Sequence, residues 1–392
     1  MPKSTTAAHR KLGFEGLEIR TLMAGDVTAA VVSGVLEISG DGSNNSIQVK
    51  QSGANWKVQG LGTTVNGSNS AQSFSGVTDI HIDLGEGNDF IAASKGTLSG
   101  DFVIDDLDGG RSTIELSKMN ANRLEVNTFD ENDVISITNC HVDEDILIVA
   151  FASTDDGDDV ITIANSSAGT LLDVGTGGGN DVVTLKSVTA SDGVIVTASD
   201  SGASDIDAVT IVKSSSDDLL DVSTGDGADV VTINKFQAGA EMLVSTADSD
   251  DDGNDVVSIV SSSAEDTLEV NTGNGADVLT IAKFTAGDDI ELSTGGTQSD
   301  GIDVITLTQV NGGNNIDLTT GSGTDRASLT KVVAANELNV DMEAGDFDQL
   351  FVTRSRAVDA FFDGGNNDGD TLISFRNVFG TEDETGFEFV YG

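Results

Sequence analysis

An acidic residue closes a glycine-rich turn again and again along this 392-residue chain, and the intervals between these residues alternate. Aligning runs of the type "DVVTI" gives Asp133, Asp159, Asp181, Asp207, Asp229, Asp255, Asp277, Asp303 and Asp325, separated by 26, 22, 26, 22, 26, 22, 26 and 22 residues. Asp348 and Asp370 continue the column at steps of 23 and 22, and Ser112 and Asp89 extend it backwards at steps of 21 and 23. A fixed period of this length marks a stacked repeat, in which each unit buries its apolar side only against its neighbours. The units come in pairs of 48 residues.

Each unit holds two strand-like runs. In 219–236 they are "LLDVST" and "DVVTINKF", joined by "GDGA". Leu220 and Val222 share one face, as do Val231 and Ile233, whereas Asp221, Ser223 and Thr232 fall on the other, the period of two that a strand imposes. β-Branched residues dominate, no capped helical periodicity is present, and the single proline leaves interior strands free to donate every N–H. These features predict an all-β chain: a right-handed parallel β-helix of about twelve coils, alternating 22- and 26-residue units, ~60 Å long at ~4.8 Å per coil.

The same pattern divides the chain. Residues 1–25 are a basic leader carrying Lys3, Arg10, Lys11 and Arg20, without the apolar stretch of a standard secretory signal. Residues 26–78 read as an irregular β entry and N-terminal cap, with Asn45 at the acidic position. The solenoid repeats occupy 79–380, and 381–392 form a C-terminal cap in which Phe387, Phe389 and Tyr391 cover the last coil.

Charge narrows the function. A net charge of -47 opposes binding to nucleic acid, which needs cations on the phosphates, and to anionic membranes. It favours metal cations or basic partners, and it also serves solubility alone. Cys140 is the only cysteine, so neither an intrachain disulfide nor a thiolate metal cage is available. The longest apolar run, "ILIVAFA" at 146–152, is strand-sized, so no transmembrane segment is expected.

Two short stretches resemble known families. Residues 17–24, "LEIRTLMA", resemble the LEPR-XLL motif near the N-terminus of many exported planctomycete proteins, with Ile19 for its Pro and Met23 for its last Leu. That resemblance implies a bacterial protein that is extracellular or on the cell surface. "GEGNDFIAA" at 85–93 resembles the RTX (haemolysin-type) nonapeptide G-G-x-G-x-D-x-U-x, with Gly85, Gly87, Asp89 and Ile91 at matching positions. Gly177, Gly179 and Asp181 match in the same way, as do the turns that end at Asp229, Asp277 and Asp325. The resemblance implies calcium at Asp89, Asp181, Asp229, Asp277 and Asp325. RTX nonapeptides run in tandem, two per coil, whereas here one match occurs per coil or per two coils.

The long units offer a second place for calcium. Their extra residues fall in acidic loops such as "ASTDDGD" and "ADSDDDGN", which makes Asp156, Asp158, Asp250 and Asp252 further candidate ligands. An EF-hand is not expected, because Ile259 stands where its loop needs Glu. Aspartates in register on adjacent coils repel by about 0.9 kcal/mol per pair even at the dielectric of water, which a divalent cation would relieve. The competing reading is that each Asp accepts a hydrogen bond from its own turn and solvent screens the rest.

Other columns are plainer. Thr184, Thr210, Thr232, Ser258, Thr280, Thr306 and Ser328 form an outward hydroxyl ladder, a common strand composition that in ordered rows also binds ice or sugars. Lys186, Lys213, Lys235, Lys283 and Lys331 offset nearby acid. No catalytic residues are assigned: His9, His81 and His141 bear no relation to the repeat, and only Arg354 and Arg356 break it locally. The expected role is a non-enzymatic structural or adhesive solenoid stabilised by calcium, acting on extracellular matrix, cell envelope or polysaccharide. The alternative is a polysaccharide-binding or polysaccharide-degrading β-helix.

Overall fold

The structure, a computed structural model, describes residues 25–106, 109–128, 131–151, 157–198, 205–247, 253–295, 301–343, 345, 347–366 and 369–392. The basic leader and most of the long acidic loops lie outside the described residues. Within them the chain is all-β and winds a parallel β-solenoid of about 13 turns.

The period-two reading explains how a coil is built. One coil runs through strands Val230–Asn234, Gln237–Ala238 and Met242–Ser245. Val231, Ile233, Phe236, Ala238, Met242 and Val244 point inward and are no more than 3% exposed. Neighbouring coils repeat this in strict parallel register, so that Val209, Val231, Val257 and Leu279 stack in one column. Each fully buried Val, Leu, Ile or Phe contributes ~1.5–3 kcal/mol, but only once the coils above and below have covered it.

One corner is decided by the backbone. At the first corner of each coil, inside a strand or between two, sits a single residue in the left-handed conformation, and among the described residues of this column it is never glycine. From Lys95 (φ 57°) the column passes Lys118, Asn139, Asn165, Ser187, Lys213, Lys235, Ser261, Lys283, Gln309 and Lys331 to Arg354 and Arg376 (φ 60°). The next residue turns inward; Phe236 and Phe284 there are fully buried. At Cys140, Val188, Phe236 and Val332 its N–H is held by a serine from the next coil, as in Phe236 N to Ser262 Oγ at 3.1 Å. The strain of a left-handed non-glycine residue is thereby offset by core burial and a hydrogen bond.

The entry segment winds earlier than its sequence suggests, which accounts for the additional turn. Strand β1 (Asp26–Val32) pairs antiparallel with β2 (Val35–Ser39), and β3 (Ser46–Ser52) pairs antiparallel with β4 (Asn55–Gly60). β2 and β3 then join the stack in parallel with Asp79–Asp83 and Phe90–Thr97. Trp56 closes this end, buried against Gly96, where an added Cβ would lie 1.9 Å from the indole. At the other end Phe387 packs on the core, but Phe389 and Tyr391 are 51% and 59% exposed. They do not cover the last coil as expected, because Phe389–Tyr391 adds a further parallel strand to Thr371–Phe375.

Candidate functional site

The column of aspartates is a buried hydrogen-bond ladder. Asp133, Asp159, Asp181, Asp207, Asp229, Asp255, Asp277, Asp303, Asp325, Asp348 and Asp370 are each 0–1% exposed. Each carboxylate Oδ1 accepts from the backbone N–H of the ladder residue one coil earlier. Examples are Asp207 N to Asp229 Oδ1 at 2.8 Å and Asp229 N to Asp255 Oδ1 at 2.8 Å. A separate link joins Asn45 N to Asp89 Oδ1 at 2.7 Å; the unbroken run starts at Ser112 N and ends where Asp370 N donates to Glu388 Oε2 at 2.8 Å. The Oδ1 acceptor is thus used between coils. The turn leaves one N–H per coil outside the strand ladder, and an unpaired buried N–H costs ~1–3 kcal/mol.

A hydroxyl completes the arrangement. Thr246 Oγ1 donates to Asp255 Oδ2 at 2.5 Å, and Thr272 Oγ1 to Asp277 Oδ2 at 2.6 Å. Burial pushes the carboxyls of Asp133 and Asp229 up to about 6, and the hydroxyls of Thr128 and Thr224 temper the rise. Register places Ala198 where Thr224 stands in the next coil, and Asp207, which faces it, is pushed up to about 9. Asp89, with Leu84 at that corner, is pushed up to about 7 by burial.

The glycines of the RTX-like turns have separate structural reasons. Gly177, Gly225, Gly273 and Gly321 sit at φ 74–80°, where other residues are strained. The second glycine stacks directly on the coil below. A Cβ on Gly179, Gly227, Gly253, Gly275, Gly301 or Gly323 would lie 1.7–2.2 Å from a backbone oxygen. The first glycine column thus follows from the turn's left-handed backbone and the second from coil stacking.

A calcium site needs six to eight oxygens about one centre. At Asp89, Asp181, Asp229, Asp277 and Asp325 the Oδ1 atom already serves a backbone N–H. Among the described residues no group of three or more His, Cys, Asp or Glu side chains is arranged to hold one ion. The described residues thus do not assemble a complete calcium site at these turns. Asp158 is exposed, and its Oδ1 accepts from both Asn180 N and Asn180 Nδ2 at 2.9 Å, which holds its carboxyl low. Asp156, Asp250 and Asp252 lie outside the described residues.

Three other places depart from uniformity. His81 sits between two carboxylates, with Nδ1 2.9 Å from Glu37 and Nε2 3.0 Å from Asp105, pairings that raise its pKa against the opposing effect of burial. Sequence alone missed this group because its members come from three different coils.

A second place is the outer column of the third strand set, where acids alternate with apolar residues. Asp173 lies between Leu147 and Ile195, and Asp221 between Ile195 and Leu243. The alternation breaks where Glu269, Glu291 and Asp317 stack directly, and burial and these neighbours raise the carboxyl of Glu291.

Beyond this, near the C-terminal end, a shallow groove of about 270 Å³ is lined by Asp317, Asp341, Phe361, Asp363 and Asp383 among others. Arg354 and Arg356 do not line it.

The lysines also need correction. Lys213, Lys235, Lys283 and Lys331 occupy the left-handed corner and are exposed. Among the described residues none of them, nor Lys186, forms an ion pair. No described helix is long and apolar enough to cross a membrane. Comparison with protein-family models, with curated proteins and with solved structures finds no match to this chain.

Proposed function

We propose that this chain is a non-enzymatic structural or adhesive rod, secreted by or displayed on a bacterial cell. The observation that carries the proposal is the aspartate ladder, which runs from Ser112 to Asp370 with one side-chain link per coil. A device repeated so evenly builds length and regularity, whereas a catalytic centre requires a local exception. The acidic surface keeps such a rod soluble, and the leader resemblance points to export. Labelling intact cells with an antibody to the folded chain tests the location; signal only after lysis would sink it.

Calcium belongs to this reading as a ligand of the long acidic loops, where Asp156, Asp158, Asp250 and Asp252 supply hard oxygens. Thermal unfolding with millimolar calcium and with a chelator measures it, on the scale RT ln(1 + [L]/Kd). An unchanged midpoint removes calcium and leaves the structural role standing.

The C-terminal groove favours a second reading, binding of a polysaccharide. Phe361 is 43% exposed there among four aspartates, a pairing of a flat apolar ring with hydrogen-bond acceptors that suits a sugar. Retention on insoluble polysaccharide, lost in Phe361→Ala, would support it.

A further inference from the structure

We propose that the outer face of the first strand set docks a second copy of this chain, with the two rods parallel and the two-fold axis along their length. The face spans eight consecutive strands, from Val134–Thr138 to the strand that begins at Val304. Its first column is exposed valine: Val160, Val182, Val230, Val256, Val278 and Val304 are 37–41% exposed. Its central column is the hydroxyl row, with Thr184, Thr210, Thr232, Ser258, Thr280 and Thr306 in register. Along the first five residues of these eight strands the only charged outward residue is Lys186, and Lys283 lies beyond them in the strand Val278–Ala286, at the corner.

Such a face is anomalous on a chain with a net charge of -47. It is the side on which two copies can approach without forcing carboxylates together. Eight coils at ~4.8 Å and five residues at ~3.3 Å give about 600 Å² per copy, or about 1,200 Å² in all, the lower bound for a specific interface. Face-to-face packing at ~10 Å then buries valine and threonine rows that solvent now covers.

The edges decide the orientation. Where the strands end, the face is bordered by the left-handed corner with Lys213, Lys235 and Lys283. Where they begin, it is bordered by the turns, whose described residues include Glu131, Asp158 and Asp205. A two-fold axis along the rod reverses the strand direction but keeps each coil at the same height. Lys213 of one copy then faces Asp205 of the other. Antiparallel rods would instead set lysine edge against lysine edge and acid against acid. Charge complementarity therefore selects the parallel pair.

Sedimentation velocity of the full chain over a concentration series tests this. The expected result is a reversible monomer–dimer equilibrium, with Thr210→Glu raising the dissociation constant at least about tenfold through a charge buried at the centre of the face. Circular dichroism of that variant confirms that it still folds, since the side chain points outward. Lys213→Asp should weaken the dimer, and adding Asp205→Lys to it should restore most of the loss. Loss without rescue overturns the parallel orientation. A chain that stays monomeric at every concentration overturns the dimer. So does a monomer that uses this face only to hold a flat solid such as ice or crystalline polysaccharide.

Discussion

The Asp106 carboxylate accepts its hydrogen bond from the Ser112 hydroxyl, at the one coil where acid and hydroxyl have traded places. Register puts Asp106 in the corner column that holds Thr128 in the next coil, and Ser112 in the ladder column that holds Asp133. The exchange shows that, where the pair forms, hydroxyl and carboxyl can occupy either column. A metal ligand set would not survive such a swap unchanged, but a buried hydrogen bond does. With no carboxylate on Ser112, the Asp89 N–H turns to the backbone oxygen of Arg111 at 3.1 Å.

Removing one ladder acceptor should be costly, and replacing it with a neutral one should not. Asp229→Ala leaves the buried Asp207 N–H without its partner and is expected to cost ~1–3 kcal/mol, with a further term for the cavity. Asp229→Asn keeps the acceptor and should cost far less. Urea midpoints of the two variants decide the matter; equal losses would mean that the charge itself is required.

Stability should fall as the solution becomes alkaline. Asp207, Asp89, Asp133 and Asp229 have folded-state pKa values near 9, 7, 6 and 6, above the ordinary 3.8. The native state therefore binds more protons than the unfolded chain between these limits, so its stability is greatest at low pH and declines as pH rises through each value. The melting temperature should drop from about pH 5 to about pH 9, and Asp207→Asn should flatten the part above pH 7. A melting temperature that rises over this range refutes the assignment.

The two glycine columns make separable predictions. In Gly253→Ala the new Cβ lies 1.9 Å from the Gly227 backbone oxygen, so adjacent coils must part, at an expected ~3 kcal/mol or more. Gly273→Asn meets the left-handed requirement at φ 74°, which Asn tolerates, and should cost under ~1 kcal/mol. Thermal unfolding of both would expose any reversal of that order.

His81 should contribute a smaller pH effect of the same sign. Its pKa is raised by Glu37 and Asp105, so the pairing stabilises fully below the unfolded value of 6.5 and is lost as pH climbs through the raised one. Because the ring is 38% exposed, solvent screening limits the effect to no more than about 1 kcal/mol. His81→Gln should remove it at pH 5.5–6 (about the ordinary His range) and change little above pH 8. Proton NMR of the His81 ring gives its titration midpoint directly.

Much was legible in the sequence, because a parallel stack repeats a local rule. The alternation of Val231, Thr232 and Ile233 fixes inside and outside, and the 26/22 spacing of Asp207, Asp229 and Asp255 fixes the coil. Strands, register and the ladder column all follow from these one-dimensional patterns. Tertiary structure decided what that column does. Whether Asp229 faces a cation, its own turn or the Asp207 N–H depends on contacts between coils 22 and 26 residues apart, which no local pattern encodes. The same holds for Gly253, set by the backbone beneath it, and for the left-handed corner, where Lys213 and Lys235 stand without an ion pair among the described residues.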